Sequence, residues 1–218
     1  MTSPDFRAEK RSAAQAAAAL VEDGMRVGLG SGTTVAELLP ALGRRGLALT
    51  CVATSPATSQ LARANGLRVE PFSGIERLDL AIDGADQVDP VGWLVKGGGG
   101  AHTRERIAAS AADRFVVIVS SDKPVDRLHP PVPLELLRYG LAATVRSLPG
   151  IVLRDAPATP DGGVLADYHG DVGDPAGLAR LLDAVPGVVS HGLFPPSLVS
   201  LVLVARGDRV DELRPSAI

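Results

Sequence analysis

A chain of 218 residues with 45% hydrophobic and 22% charged side chains has the make-up of a folded globular protein with a sizeable core. Its net charge of −3 excludes the basic excess of a typical nucleic-acid surface, and a single cysteine, Cys51, excludes an intrachain disulfide framework and fits a reducing compartment. No window approaches the ~18 consecutive apolar residues of a membrane span, and the Ala-rich stretch near the N-terminus is interrupted by polar residues, so the expectation is a soluble, cytoplasmic protein.

Residues 6–22 read as a helix and MRVGL (25–29) as a strand, with Val35–Leu42 in the helix after it. LALTCVAT (47–54) is a second strand and Pro56–Asn65 a helix that Gly66 stops. LRVEP (67–71) reads as a short strand, LDLAID (78–83) as a strand running into an acidic turn, and WLVK (93–96) as a strand leading to a glycine run. A helix over 102–113 and the apolar strand RFVVIVS (114–120) complete an alternation that predicts a mostly parallel sheet with helices on both faces, a Rossmann-like α/β layer. Three prolines in DRLHPPVP (126–133) mark a domain crossing. Beyond them come strand PVPLE, a helix across 136–147, strands 151–154 and 164–168, a helix near 175–184 and strand 187–194. That βαββαβ order is similar to a small ferredoxin-like α+β unit. The run LVSLVLVA (198–205) is placed to return to the first sheet, so the expected domains are 1–129 with 198–218, and 130–197.

Most of the segments that carry chemistry lie where strands end, the edge at which open α/β sheets bind ligands. GLGSGTT (28–34) offers backbone amides at a helix start and the hydroxyls of Ser31, Thr33 and Thr34 around Gly32; alone, it reads as well as a plain capped turn as a phosphate cradle. In DGADQVD (83–89), Asp83 and Asp86 flank Gly84 and Ala85, and two carboxylates so spaced can converge on one ligand or stand solvated in an Asx-turn. In KGGGGAHTRERIAAS (96–110), Lys96 precedes Gly97, Gly98 and Gly99, an entropically costly run that an anion-binding nest of amides would explain, and Glu105 falls in the first turns of the next helix. Arg104 and Arg106 beside it read as surface residues or ion-pair partners. Lys123 follows a buried strand and can reach a ligand phosphate or pair with Asp122 or Asp126. Of 22 basic residues only Lys10, Lys96 and Lys123 are lysine, which makes them candidates for sites where arginine does not fit. The four histidines are scattered without metal spacing and read as structural or surface groups.

Taken together the segments resemble the ribose-5-phosphate isomerase A family. The resemblance is carried by GLGSGTT (28–34), TSPAT (54–58), DGAD (83–86), KGGGGA-x-TRE (96–105), S-x-K (121–123) and PGVVSHGLF (186–194), with the spacing from Asp83 to Lys96 to Glu105 as its specific part. It implies an active site at the junction of a Rossmann-like and a ferredoxin-like domain, no metal or organic cofactor, a homodimer, and a place in the non-oxidative pentose phosphate pathway. By matched position Glu105 is the proton acceptor, and Ser31 to Thr34, Asp83 to Asp86, Lys96 to Gly99 and Lys123 bind substrate. Asp83 or Asp86 is the candidate for opening the sugar ring, and Lys96 with the glycine amides for stabilising an enediolate. The chain departs from the family pattern at Gln87, where an acid is usual, at TPDGG (159–163) and at VPLELL (132–137); only Gln87 is expected beside the site.

Overall fold

The computed structural model describes residues 6–215. The elements run α1 (Phe6–Ala19), β1 (Arg26–Leu29), α2 (Thr33–Gly43), β2 (Thr50–Ala53), α3 (Pro56–Ala64), β3 (Leu80–Asp83), β4 (Gln87–Val88), β5 (Leu94–Val95), α4 (His102–Ser110), β6 (Phe115–Ser120), β7 (Val132–Leu136), α5 (Leu141–Ser147), β8 (Ile151–Leu153), β9 (Val164–Tyr168), α6 (Pro175–Ala184), β10 (Val188–His191), β11 (Leu193–Phe194), β12 (Leu201–Arg206) and β13 (Arg209–Leu213). Six strands form the main sheet in the order β13-β12-β6-β3-β1-β2, all neighbours parallel except the terminal β12–β13 hairpin. From β1 the chain winds through α2 to β2 on one side, then returns to β3 on the other. The ends of β1 and β3 therefore flank a topological switch point, where two crossovers part and leave a crevice.

β6 shows how the residues build the layers. All six of its residues are buried. Val116 and Ile118 pack with Ala13, Ala14 and Ala17 of α1 on one face, while Phe115, Val117 and Val119 pack with Leu94 and Phe194 on the other. Alanines let α1 lie close to the sheet, so a core poor in aromatics still closes.

The segment from β7 to β10 forms a four-stranded antiparallel sheet in the order β10-β7-β9-β8, with α5 and α6 in the βαββαβ sequence of the ferredoxin-like arrangement. The fold class expected from the sequence is thus the one observed. Several details differ. LRVEP forms only a single bridge, Val69 to Cys51. Leu94–Val95 lies not in the parallel sheet but in a separate three-stranded one, β11-β5-β4. The helix expected from 136 starts at Leu141, because β7 runs to Leu136 and Gly140, at φ 71°, turns the chain first. The strand expected over 187–194 breaks into β10 and β11 at Gly192, where a Cβ would lie 2.1 Å from the Lys96 carbonyl oxygen. β4 and β13 were not expected.

Candidate active site

β1 delivers Gly30 and Ser31 to the switch point, and β3 delivers Asp83. The two must interlock: a Cβ on Gly30 would sit 1.9 Å from the Asp83 carboxyl, so only glycine lets Asp83 pass. One Asp83 oxygen accepts the amides of Ser31 (3.0 Å) and Gly84 (2.7 Å). The other faces the Lys96 ammonium at 2.8 Å. Lys96, on the chain leaving β5, also meets Glu105 at 3.1 Å and donates to the Gly84 carbonyl. The second Glu105 oxygen accepts the Ser31 hydroxyl at 2.5 Å. Glu105 is placed by α4, whose start requires Gly97 at φ 102°, where a Cβ would strike the His102 ring. Thr58, in the first turn of α3, holds the β1 loop from behind by donating to the Gly30 carbonyl at 2.9 Å.

Asp83 and Lys96 are each 3% exposed and Glu105 6%. Burial, and then the charge of Glu105, pushes the Asp83 carboxyl up to about 7, against the pull of Lys96. Burial works against the Lys96 ammonium, but Asp83 and Glu105 outweigh it and hold its pKa above the ordinary value. An acid whose pKa is raised on folding adds stability below its unfolded value, 3.8 for Asp83, and loses it as pH rises through about 7. Between pH 4 and pH 8 the wild type should therefore lose stability relative to Asp83→Asn, on the order of 4 kcal/mol. Urea unfolding of both proteins at several pH values measures this; parallel curves would contradict a strained Asp83 charge.

The other candidate residues surround this cluster. Asp86 is exposed and accepts the Gly98 amide at 2.8 Å, joining the acidic turn to the oligoglycine loop, of which Gly98 and Gly99 face solvent. Gly32, at φ 89°, precedes the 11-residue α2, whose first residues are Thr33 and Thr34. Ala85 is half-buried beside Asp83. Lys123 pairs with Asp122 at 3.0 Å, and its carbonyl accepts the Val88 amide at 3.0 Å, tying the end of β6 to the strand that follows Asp86. Among the described residues no His, Cys, Asp or Glu grouping could hold a metal ion.

The sequence model for ribose 5-phosphate isomerase A (phosphoriboisomerase A) matches residues 50–209. A ribose-5-phosphate isomerase A of Rhodopseudomonas palustris is 42% identical over 92% of this chain and 95% of its own. The chain belongs to the ribose 5-phosphate isomerase A family. The solved isomerase A of Neisseria gonorrhoeae superposes with a TM-score of 0.92 at 28% identity, covering 98% of this chain and 99% of that one. A D-ribose-5-phosphate isomerase in complex with phospho-erythronic acid superposes at 0.89 with 31% identity, covering 94% of this chain and 97% of that one. A model of the DeoR C-terminal sensor domain matches residues 5–77 and stops short of Asp83, Lys96 and Glu105.

Against the family pattern, Gln87 turns out to be a tie-piece. Its amide accepts from the His129 backbone N–H and donates to the His129 carbonyl, both at 2.8 Å, so it buttresses the crossing between the sheets. An acid there could make only the first of these bonds. The 159–163 turn, expected far from the site, instead touches the helix that carries Glu105, through Asp161 bound by both arms of Arg104 at 2.6 and 2.8 Å. Arg106 is neither a surface group nor an ion-pair partner of the kind expected. It is half-buried, donates to the carbonyls of His191 and Leu193, and lies 4.7 Å over the Phe194 ring. Lys10, singled out only by lysine scarcity, donates to the Thr33 hydroxyl at 3.0 Å, which puts an ammonium at the start of α2. No motif adjoins Lys10, so spacing alone could not have assigned it. A cleft of about 830 Å³ runs along the outer side of α4 past Thr103, Ile107, Leu137 and Val189 and does not border Asp83, Lys96 or Glu105.

Proposed function

We propose that this chain interconverts D-ribose 5-phosphate and D-ribulose 5-phosphate through an enediolate, with Glu105 as the base. The observation that carries the reading is the Glu105 carboxylate, buried yet ionically supported between Ser31 and Lys96. Glu105 takes the proton from C2 and returns it to C1, a shuttle suited to a carboxylate on a rigid helix start. The Lys96 ammonium donates to the Gly84 carbonyl and is ion-paired with both Asp83 and Glu105. Its part is then to keep both carboxylates in place, while the amides of the oligoglycine loop stabilise the developing oxyanion. Asp83 and Asp86 remain the candidates for ring opening: Asp83 can carry a proton near neutrality, and Asp86 stands open to solvent.

The phosphate is gripped away from the reacting carbons, by the start of α2 with Thr33 and Thr34, by Lys10 and by Lys123, so that binding energy fixes the geometry. Phospho-erythronic acid, bound by a relative, pairs a phosphate with a planar carboxylate that imitates an enediolate, and the same two-ended recognition is assigned here. In this reading the chain works as a homodimer in the cytoplasm, in the non-oxidative pentose phosphate pathway, without metal or organic cofactor. It uses residues 1–129 with 198–218 as the catalytic domain and 130–197 as the smaller one.

A coupled assay for ketose formation from ribose 5-phosphate tests the activity directly. Binding without turnover would favour a sugar-phosphate sensor instead, the alternative raised by the partial sensor-domain match. Lys123→Ala should raise KM by about tenfold, the scale of one charge-assisted hydrogen bond, and lower kcat less. A large fall in kcat at unchanged KM would move Lys123 into the chemistry.

A further inference from the structure

Glu135 sits in β7, a strand with neighbours on both sides, and is 2% exposed. A buried carboxylate is costly unless its oxygens are bonded, and an apolar residue of similar volume there would be at least as stabilising. Both oxygens are bonded. One accepts the Thr159 hydroxyl at 2.6 Å, and the other accepts the hydroxyl of Thr103. The turn that supplies Thr159 is shaped around the carboxylate: a Cβ on Gly163 would lie 2.1 Å from a Glu135 oxygen, and the Gly163 amide donates to the Thr159 hydroxyl at 3.0 Å.

Thr103 lies in the first turn of α4, two residues before Glu105. The residue preceding that helix, Ala101, has no side chain to cap it. Its first turn is held instead from the four-stranded sheet, by Thr103 on Glu135 and by Arg104 on Asp161. Neither Glu135 nor Thr159 belongs to the Ser31–Asp83–Lys96–Glu105 cluster.

We infer that Glu135, acting through Thr103, is a positioning residue that sets the first turn of α4 so that the Glu105 carboxylate meets the reacting carbons. The inference rests on Glu105 being the base. A base displaced by about 1 Å can lose about 10²-fold in rate, whereas phosphate recognition at the α2 end is untouched. The loss therefore falls on kcat and spares KM.

The experiment compares Glu135→Gln, Thr103→Val and Thr103→Ser with the wild type. It measures kcat, KM for ribose 5-phosphate and the isotope effect on substrate deuterated at C2. Glu135→Gln and Thr103→Val should lower kcat by about tenfold with KM within about twofold, and raise the isotope effect as proton transfer becomes limiting. Thr103→Ser, which restores the hydroxyl, should recover most of the rate. Turnover within twofold of wild type in both hydroxyl- and charge-deleting variants overturns the inference, as does a joint change in kcat and KM with no change in isotope effect. Should Glu135→Gln fail to fold, the near-isosteric Thr103→Val decides alone. Glu105→Gln, run alongside, separates the two levels: if it is inactive while Glu135→Gln and Thr103→Val are normal, only the positioning role falls; if it is itself active, the base assignment falls.

Discussion

Glu105→Gln is expected to lower kcat by about 10²-fold or more while KM stays within a few-fold of wild type. The substitution preserves shape and one acceptor oxygen, so the Ser31 hydroxyl keeps its partner and the loop after β1 stays in place. Lys96 retains Asp83 at 2.8 Å and the Gly84 carbonyl, so no buried cation is orphaned. What disappears is the capacity to take up the C2 proton. The electrostatics of the cluster change in a readable direction as well: Glu105 is one of the charges that push Asp83 up to about 7, so removing it should draw Asp83 back toward the ordinary carboxylate range. Steady-state kinetics with a coupled ketose assay measures the first effect. Turnover near the wild-type rate would remove Glu105 from the chemistry and leave the cluster as an ionic staple.

Much of this site was legible because each part had a local reason. Glycines at Gly30 and Gly97 stand where a Cβ would collide with Asp83 or His102, and such collisions leave a sequence signature. Strand ends next to acids and a long glycine run locate a binding edge before any coordinates do. Less accessible was anything decided by distant packing. Lys10 reaches Thr33 from another helix, across 23 positions of sequence. Arg106 looked like surface charge until β11 placed Phe194 beneath it. Glu135 stands as one acid in an apolar strand, and its partners Thr103 and Thr159 lie 32 and 24 positions away, so no local pattern marks it. The two-residue β4 is too short for periodicity to register, and the apolar run of β5 marks a strand but says nothing about its neighbour, which is why its sheet differs from the expected one.

Lys96→Met should be the most damaging single change, in stability and in rate together. Methionine keeps the length and apolar stem but removes the charge that faces Asp83 and Glu105 from a site 3% exposed. Two buried carboxylates then confront each other with only the Ser31 and Gly84 amides and the Ser31 hydroxyl in support. Breaking a buried ion pair from one side costs about 3–5 kcal/mol. One carboxylate will escape by taking up a proton, so the loss should be larger at pH 8 than at pH 5, and activity should fall by about 10³-fold as the ion-paired support that places the base is lost. Denaturant unfolding at the two pH values and the ketose assay read both effects. Lys96→Arg is the sharper comparison. Every other basic residue apart from Lys10 and Lys123 is already arginine, so charge alone does not explain why lysine stands here. A planar, bulkier guanidinium cannot set its charge at the one point that lies 2.8 Å from Asp83 and 3.1 Å from Glu105 and still donates to the Gly84 carbonyl. Lys96→Arg should therefore fall nearly as far in rate as Lys96→Met while regaining part of the stability. Full activity in Lys96→Arg would mean that the pocket needs only a positive charge, and the compact ammonium would lose its place in the mechanism.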